Sequence, residues 1–72
     1  MVLPSSIQLL IVDDDQDLRQ SLAKQFSRNG ITVTEAESGP KALSIAESQR
    51  WDVAIVDLHM PEMTGLELLS KL

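Results

Sequence analysis

With 72 residues, a formal net charge of −5, no cysteine and a pI near 4.5, the chain has room for one small acidic domain. Disulfides and thiolate metal sites are excluded, which fits a reducing cytoplasm. The six basic residues are scattered, so this segment lacks the clustered Lys and Arg that nucleic-acid backbones demand.

No apolar run approaches the ~20 residues of a membrane span, and the opening MVLPSSIQ lacks the charged and apolar regions of a signal peptide. A chain of this length buries only about 60% of its unfolded surface. Its core supplies at most ~3–5 kcal/mol, so oligomerisation or a bound cation is expected as a further source of stability.

In chain order, residues 1–6 read as a flexible lead-in, because Pro4 and the serines favour neither helix nor sheet. Residues 7–12 form a nearly unbroken apolar run that marks a strand buried on both faces of a parallel sheet. It ends abruptly in Asp13, Asp14 and Asp15. From residue 16 to 29, Leu18, Leu22 and Phe26 recur every four residues with Ala23 beside them, one helical stripe. Gly30 suits the left-handed residue that ends a helix. Residues 31–36 alternate apolar with Thr, as a half-exposed strand near a sheet edge does.

Ser38-Gly39-Pro40 is a turn with Pro at the first helical position, where its missing N–H costs nothing. A short helix over residues 41–49 is predicted to bury Ala42, Leu43 and Ala46. Residues 51–58 make a second continuous apolar strand. Thr64 or Gly65 opens a last helix, with Leu66, Leu69 and Leu72 turned inward. Strands alternating with helices imply a parallel α/β sheet covered on both faces and joined by right-handed crossovers. In such sheets the ligand site lies beyond the carboxyl ends of the strands, where strand order reverses.

If the first and third strands are neighbours, Asp13, Asp14 and Asp57 converge there. Two carboxylates ~4 Å apart repel by roughly 4 kcal/mol at an effective dielectric of 20. Three together must hold a proton or recruit a cation. An all-oxygen set favours a hard ion such as Mg²⁺, which would also neutralise charge on a phosphoryl group in transfer.

The runs Ile11-Val12-Asp13-Asp14-Asp15 and, from Val56 to Leu66, VDLHMPEMTGL resemble the receiver domain of two-component response regulators. The resemblance extends from about residue 7 to the end. It implies a flavodoxin-like (CheY-like) parallel sheet, strand order 2-1-3 for the part present, with residues 7–72 as the N-terminal part of the domain. It further implies that Asp57 is the nucleophile accepting a phosphoryl group from a phosphohistidine on a sensor histidine kinase, giving an acyl phosphate. Asp14 would be a direct Mg²⁺ ligand, Asp13 would act mainly through a bound water, and the backbone carbonyl of His59 would complete the coordination.

The chain departs from that pattern by ending in its third helix. The fourth strand, with its Ser or Thr, and the fifth, with its Lys, have no counterpart; neither Lys41 nor Lys71 stands in for them. An uncapped helix at Leu72 reads as the end of a fragment. Truncation would leave residues 53–56 as an apolar sheet edge, a template for pairing. A homodimer or strand-exchanged oligomer is therefore expected.

Simpler readings stand beside these. Asp15 is read as a helix cap. Taken alone, an Asp after an apolar strand is more often a turn residue than a nucleophile. An imidazole ligand at His59 lacks the partners of a His-rich site. Met60 and Met63 read as loop packing, and Trp51 carries no chemistry. Two rival functions remain: an interaction module that pairs through the half-receiver fold without phosphotransfer, and a phosphotransferase of the haloacid dehalogenase type. The latter class wants a second Asp two residues after the nucleophile, where this chain has His59.

Overall fold

The computed structural model describes residues 7–57 and 63–72. Its elements are β1 (Gln8–Val12), α1 (Gln16–Arg28), β2 (Thr32–Ala36), α2 (Gly39–Ser48), β3 (Val53–Val56) and α3 (Gly65–Lys71). The lead-in and Leu58 lie outside the described residues. The strands form one parallel sheet in the order β2-β1-β3, the expected 2-1-3 arrangement of a flavodoxin-like α/β fold.

β1 is central, and its side chains feed two apolar clusters because successive residues of a strand point to opposite faces. Leu10 and Val12 pack with Ala36 of β2, Ala42 of α2 and Leu68 of α3. Leu9 and Ile11 pack with Ala23 of α1, and Leu22, Phe26, Ile31 and Val33 close around them. One face of the sheet thus carries α1 and the other carries α2 and α3. The unbroken apolar run of β1 follows from this double burial. β2 is an edge strand, as expected, with Thr32 and Glu35 exposed and Val33 and Thr34 half-buried.

The helix ends obey local rules. The Asp15 side chain caps α1 by accepting from the Leu18 N–H. At the other end Gly30 takes φ 82°. Its N–H donates to the Ser27 carbonyl, and the Ile31 N–H donates to that of Phe26, a Schellman motif that needs a left-handed residue. Ser38 caps α2 by accepting from the Lys41 N–H. Because α2 begins at Gly39, Pro40 is its second residue rather than the first. Gly39 is buried, and a Cβ there would stand 2.7 Å from the Met63 Cβ. Only glycine lets the start of α2 meet the chain leading into α3.

Four expectations are corrected. In α3 the buried leucine is Leu68, 0% exposed, whereas Leu66 and Leu69 are 68% and 51% exposed and Leu72 is also on the surface. Both stripes of this leucine-rich helix satisfy helical spacing, and the cap at Thr64 sets a phase that puts Leu68 over Leu10 and Val12. In α1, Leu18 is exposed, and the side chain turned inward at that level is Arg19, at 11% exposure. Coverage of β3 is one-sided. Ala54 and Val56 pack against the α2–α3 cluster, while Val53 and Ile55 on the other face are exposed. In α2, Ala42 is fully buried and Ala46 only partly.

The phase of α3 is directly testable by urea denaturation. Leu68→Ala should cost about 2–5 kcal/mol, and Leu66→Ala less than about 0.5 kcal/mol. Equal losses at the two positions would place a different face of α3 on the sheet.

Candidate functional site

The site is made by the residues just past the carboxyl ends of β1 and β3. Val12 pairs in register with Ala36 on one side and Val56 on the other. The ladder runs one step further on both sides: the Asp13 N–H donates to the Ala36 carbonyl at 3.1 Å, and the Asp57 N–H donates to the Val12 carbonyl at 2.9 Å. Asp13 and Asp57 therefore leave the sheet side by side.

Beyond that point the chain turns into α1. The Asp13 Oδ1 accepts from the Asp15 N–H at 2.9 Å, a side-chain turn that Asp forms readily. Asp14 stands at the bend, exposed, with Asp13 and Asp57 half-buried. One carboxylate oxygen from each of Asp13, Asp14 and Asp57 falls within 4.8 Å of the others. The three acids predicted to converge do so. His59 lies outside the described residues.

Asp15, the fourth acid of the region, is occupied in capping α1. Thr64 opens α3 in a similar way, its hydroxyl accepting from the Glu67 N–H at 3.2 Å. A further acid, Asp52, lies at the opposite end of β3. Its carboxylate accepts from the Gln8 N–H at 2.9 Å and its own N–H donates to the Gln8 carbonyl. That bond from the Gln8 N–H, with Arg50 beside it, holds the Asp52 carboxyl below its ordinary pKa. Asp52 is thus a structural acid, tying β1 to β3 away from the cluster.

Two residues beside the cluster escaped the sequence reading. Arg19 Nη1 donates to the Asp13 carbonyl at 2.8 Å, and Arg19 Nε donates to Glu35 Oε1 at 3.0 Å. The signal was present in α1: Arg19, Leu22, Ala23 and Phe26 follow the i, i+3, i+4, i+7 rule. A charged residue in an apolar stripe points to polar partners on the face it packs against.

Chemically, three clustered carboxylates form a hard, anionic oxygen site at the mouth of a parallel sheet, able to hold a divalent cation. No helix among the described residues is long and apolar enough to cross a membrane.

Comparison with known proteins agrees with this arrangement. The response regulator receiver domain family matches residues 9–72. The response regulator MprA of Mycobacterium ulcerans is 42% identical over 67 residues, covering 93% of this chain and 29% of that protein. The chemotaxis protein CheY4 of Vibrio cholerae superimposes with a TM-score of 0.87 at 38% identity, over 89% of this chain and 53% of that one. TrrA of Thermotoga maritima, solved in complex with Mg²⁺-BeF, gives a TM-score of 0.86 at 32% identity, over 90% of this chain and 56% of that one. TrrA has also been solved with the histidine kinase ThkA. The chain spans under a third of that curated relative and about half of those solved ones. On the match across residues 9–72 and the shared CheY-like topology, the chain belongs to the response regulator receiver domain family.

Proposed function

We propose that this chain is a phosphoacceptor in two-component signalling, taking a phosphoryl group on Asp57 from a sensor histidine kinase with Mg²⁺ held by Asp13, Asp14 and Asp57. The observation that carries this reading is the approach of those three carboxylates to within 4.8 Å. Their donor set fits the ion: each group is a hard anionic oxygen, and Mg²⁺ uses one or two carboxylates, fills its other positions with water and contacts phosphate. The family resemblance adds the His59 carbonyl as a further ligand. TrrA, solved with Mg²⁺-BeF and in complex with the histidine kinase ThkA, supports both the ion and the kind of partner.

In this reading an Asp57 carboxylate oxygen attacks phosphorus. The phosphorus–nitrogen bond of the phosphohistidine breaks, its electron pair stays on the imidazole nitrogen, and an aspartyl phosphate remains. When bound, Mg²⁺ neutralises the charge developing on the phosphoryl oxygens. Asp13 and Asp14 hold the ion. Asp57 is aimed by its backbone bond to Val12. Such a domain modifies itself and turns over no separate substrate, and a reducing cytoplasm suits its kinase partner.

A second reading, a self-pairing module without phosphotransfer, draws on the exposed Val53 and Ile55 of β3 and the pairing capacity of a strand edge. Incubation with Mg²⁺ and acetyl phosphate, followed by mass spectrometry and sedimentation, separates the two. A base-labile phosphate on the wild type that is absent from Asp57→Asn is the expected result. An unlabelled but folded dimer would favour the pairing module, and label persisting on Asp57→Asn would refute the assignment of Asp57.

The charge cluster gives a second check. In chelator, Asp14→Asn should raise the urea midpoint by relieving repulsion. In millimolar Mg²⁺ the order should reverse, because the wild type binds the ion more tightly. A variant that ranks the same way in both buffers would argue against cation binding at this cluster.

A further inference from the structure

We propose that Arg19 is a positioning residue for the cation site: its guanidinium, anchored on Glu35, fixes the peptide between Asp13 and Asp14 and so sets the spacing of the carboxylates. The proposal rests on the assignment of the cluster as a Mg²⁺ site.

Arg19 leaves the first turn of α1 and turns in towards the sheet, its side chain 11% exposed. It uses two different nitrogens. Nη1 donates to the Asp13 carbonyl at 2.8 Å, and Nε donates to Glu35 Oε1 at 3.0 Å. Glu35 lies on β2 next to Ala36, whose carbonyl accepts the Asp13 N–H. Asp13 is therefore gripped at three points: its N–H by β2, its carbonyl by Arg19, and its carboxylate by the Asp15 N–H.

The Asp13 carbonyl belongs to the planar peptide that links Asp13 to Asp14. Fixing that oxygen fixes the plane, and the plane sets the direction in which Asp14 leaves the chain. Without the guanidinium, the bend that carries Asp14 keeps the strand bond at Asp13, the Asp13–Asp15 side-chain turn and the cap at Asp15, but nothing holds the Asp13 carbonyl and the peptide plane it belongs to. A loop with that freedom has to be ordered by the ion itself, which weakens binding.

Arginine is required by shape more than by charge. Its planar fork serves a carboxylate and a carbonyl at once, whereas the single ammonium of lysine cannot satisfy both in these positions. Its charge is matched by Glu35, so it opposes an incoming cation little. Glu35 is exposed, so its ion pair with Arg19 by itself contributes little to stability.

Calorimetric titration of the full chain with Mg²⁺ tests this, at a temperature where each variant keeps the wild-type far-UV circular dichroism. Arg19→Ala and Arg19→Lys are both expected to bind about tenfold more weakly, the lower end of what supporting contacts around metal ligands contribute. Val33→Ala, which loosens the packing of α1 on β2 without touching the loop, should bind as the wild type does. Wild-type affinity in Arg19→Lys or Arg19→Ala would overturn the positioning role while leaving the cation site intact. An equal loss in Val33→Ala would overturn it too, by showing that affinity merely follows stability. A wild type that binds no Mg²⁺ would remove the cation site and the role of Arg19 together.

Discussion

Val12 lies between Ala36 and Val56, and the site depends on the two hydrogen bonds that continue the ladder just past it. One runs from the Asp13 N–H to Ala36 and the other from the Asp57 N–H to Val12. Strand order is what makes them possible. A parallel sheet with β1 in the middle brings the ends of β1 and β3 together although 44 residues separate Asp13 from Asp57 in the chain. Without the β1–β3 pairing, Asp57 would leave the sheet apart from Asp13 and Asp14.

That centre is bought with a strand apolar on both faces. Leu10 and Val12 engage α2 and α3, and Leu9 and Ile11 engage α1. Both halves of the core draw on β1, with β2 adding Ala36 to one and Val33 to the other, so the backbone that positions Asp13 lies on the seam between the clusters. Tight local geometry supports the rest. Gly39 admits Met63 where α2 meets the approach to α3, and the Asp52–Gln8 bonds fasten β3 to β1 at the far end of the sheet. Acids at opposite ends of the same strand therefore do different work: Asp52 is held by hydrogen bonds, whereas Asp57 joins a cluster of like charge.

The α/β alternation and the helix ends were legible in the chain because they rest on strong local signals, whereas the strand order that gathers the acids came with the resemblance to receiver domains. A double-faced apolar run, a glycine at a helix end and an Asp at a helix cap each have one favourable physical solution. Helix phase was harder to read. Leu66, Leu68, Leu69 and Leu72 offer two stripes of nearly equal hydrophobicity, and packing on Leu10 and Val12 decides between them. In α1 the four-residue recurrence drew attention to Leu18, while Arg19 took the inward place because Glu35 and the Asp13 carbonyl were there to receive it. Such a choice depends on partners 16 and 6 residues away, beyond what periodicity can show.

The central claim is that the fold gathers Asp13, Asp14 and Asp57 into one cation site. Substituting Mn²⁺ for Mg²⁺ and following paramagnetic broadening of backbone amide signals tests it most directly. Signals of Asp13, Asp14 and Asp57 should vanish at the lowest Mn²⁺ additions. Asp52, five residues before Asp57 and so roughly 16 Å away at ~3.3 Å per strand residue, should keep its signal. Simultaneous broadening at Asp52 and Glu47, at the far end of the sheet, would show that the ion samples the acidic surface at large, and would contradict a site built by the meeting of β1 and β3.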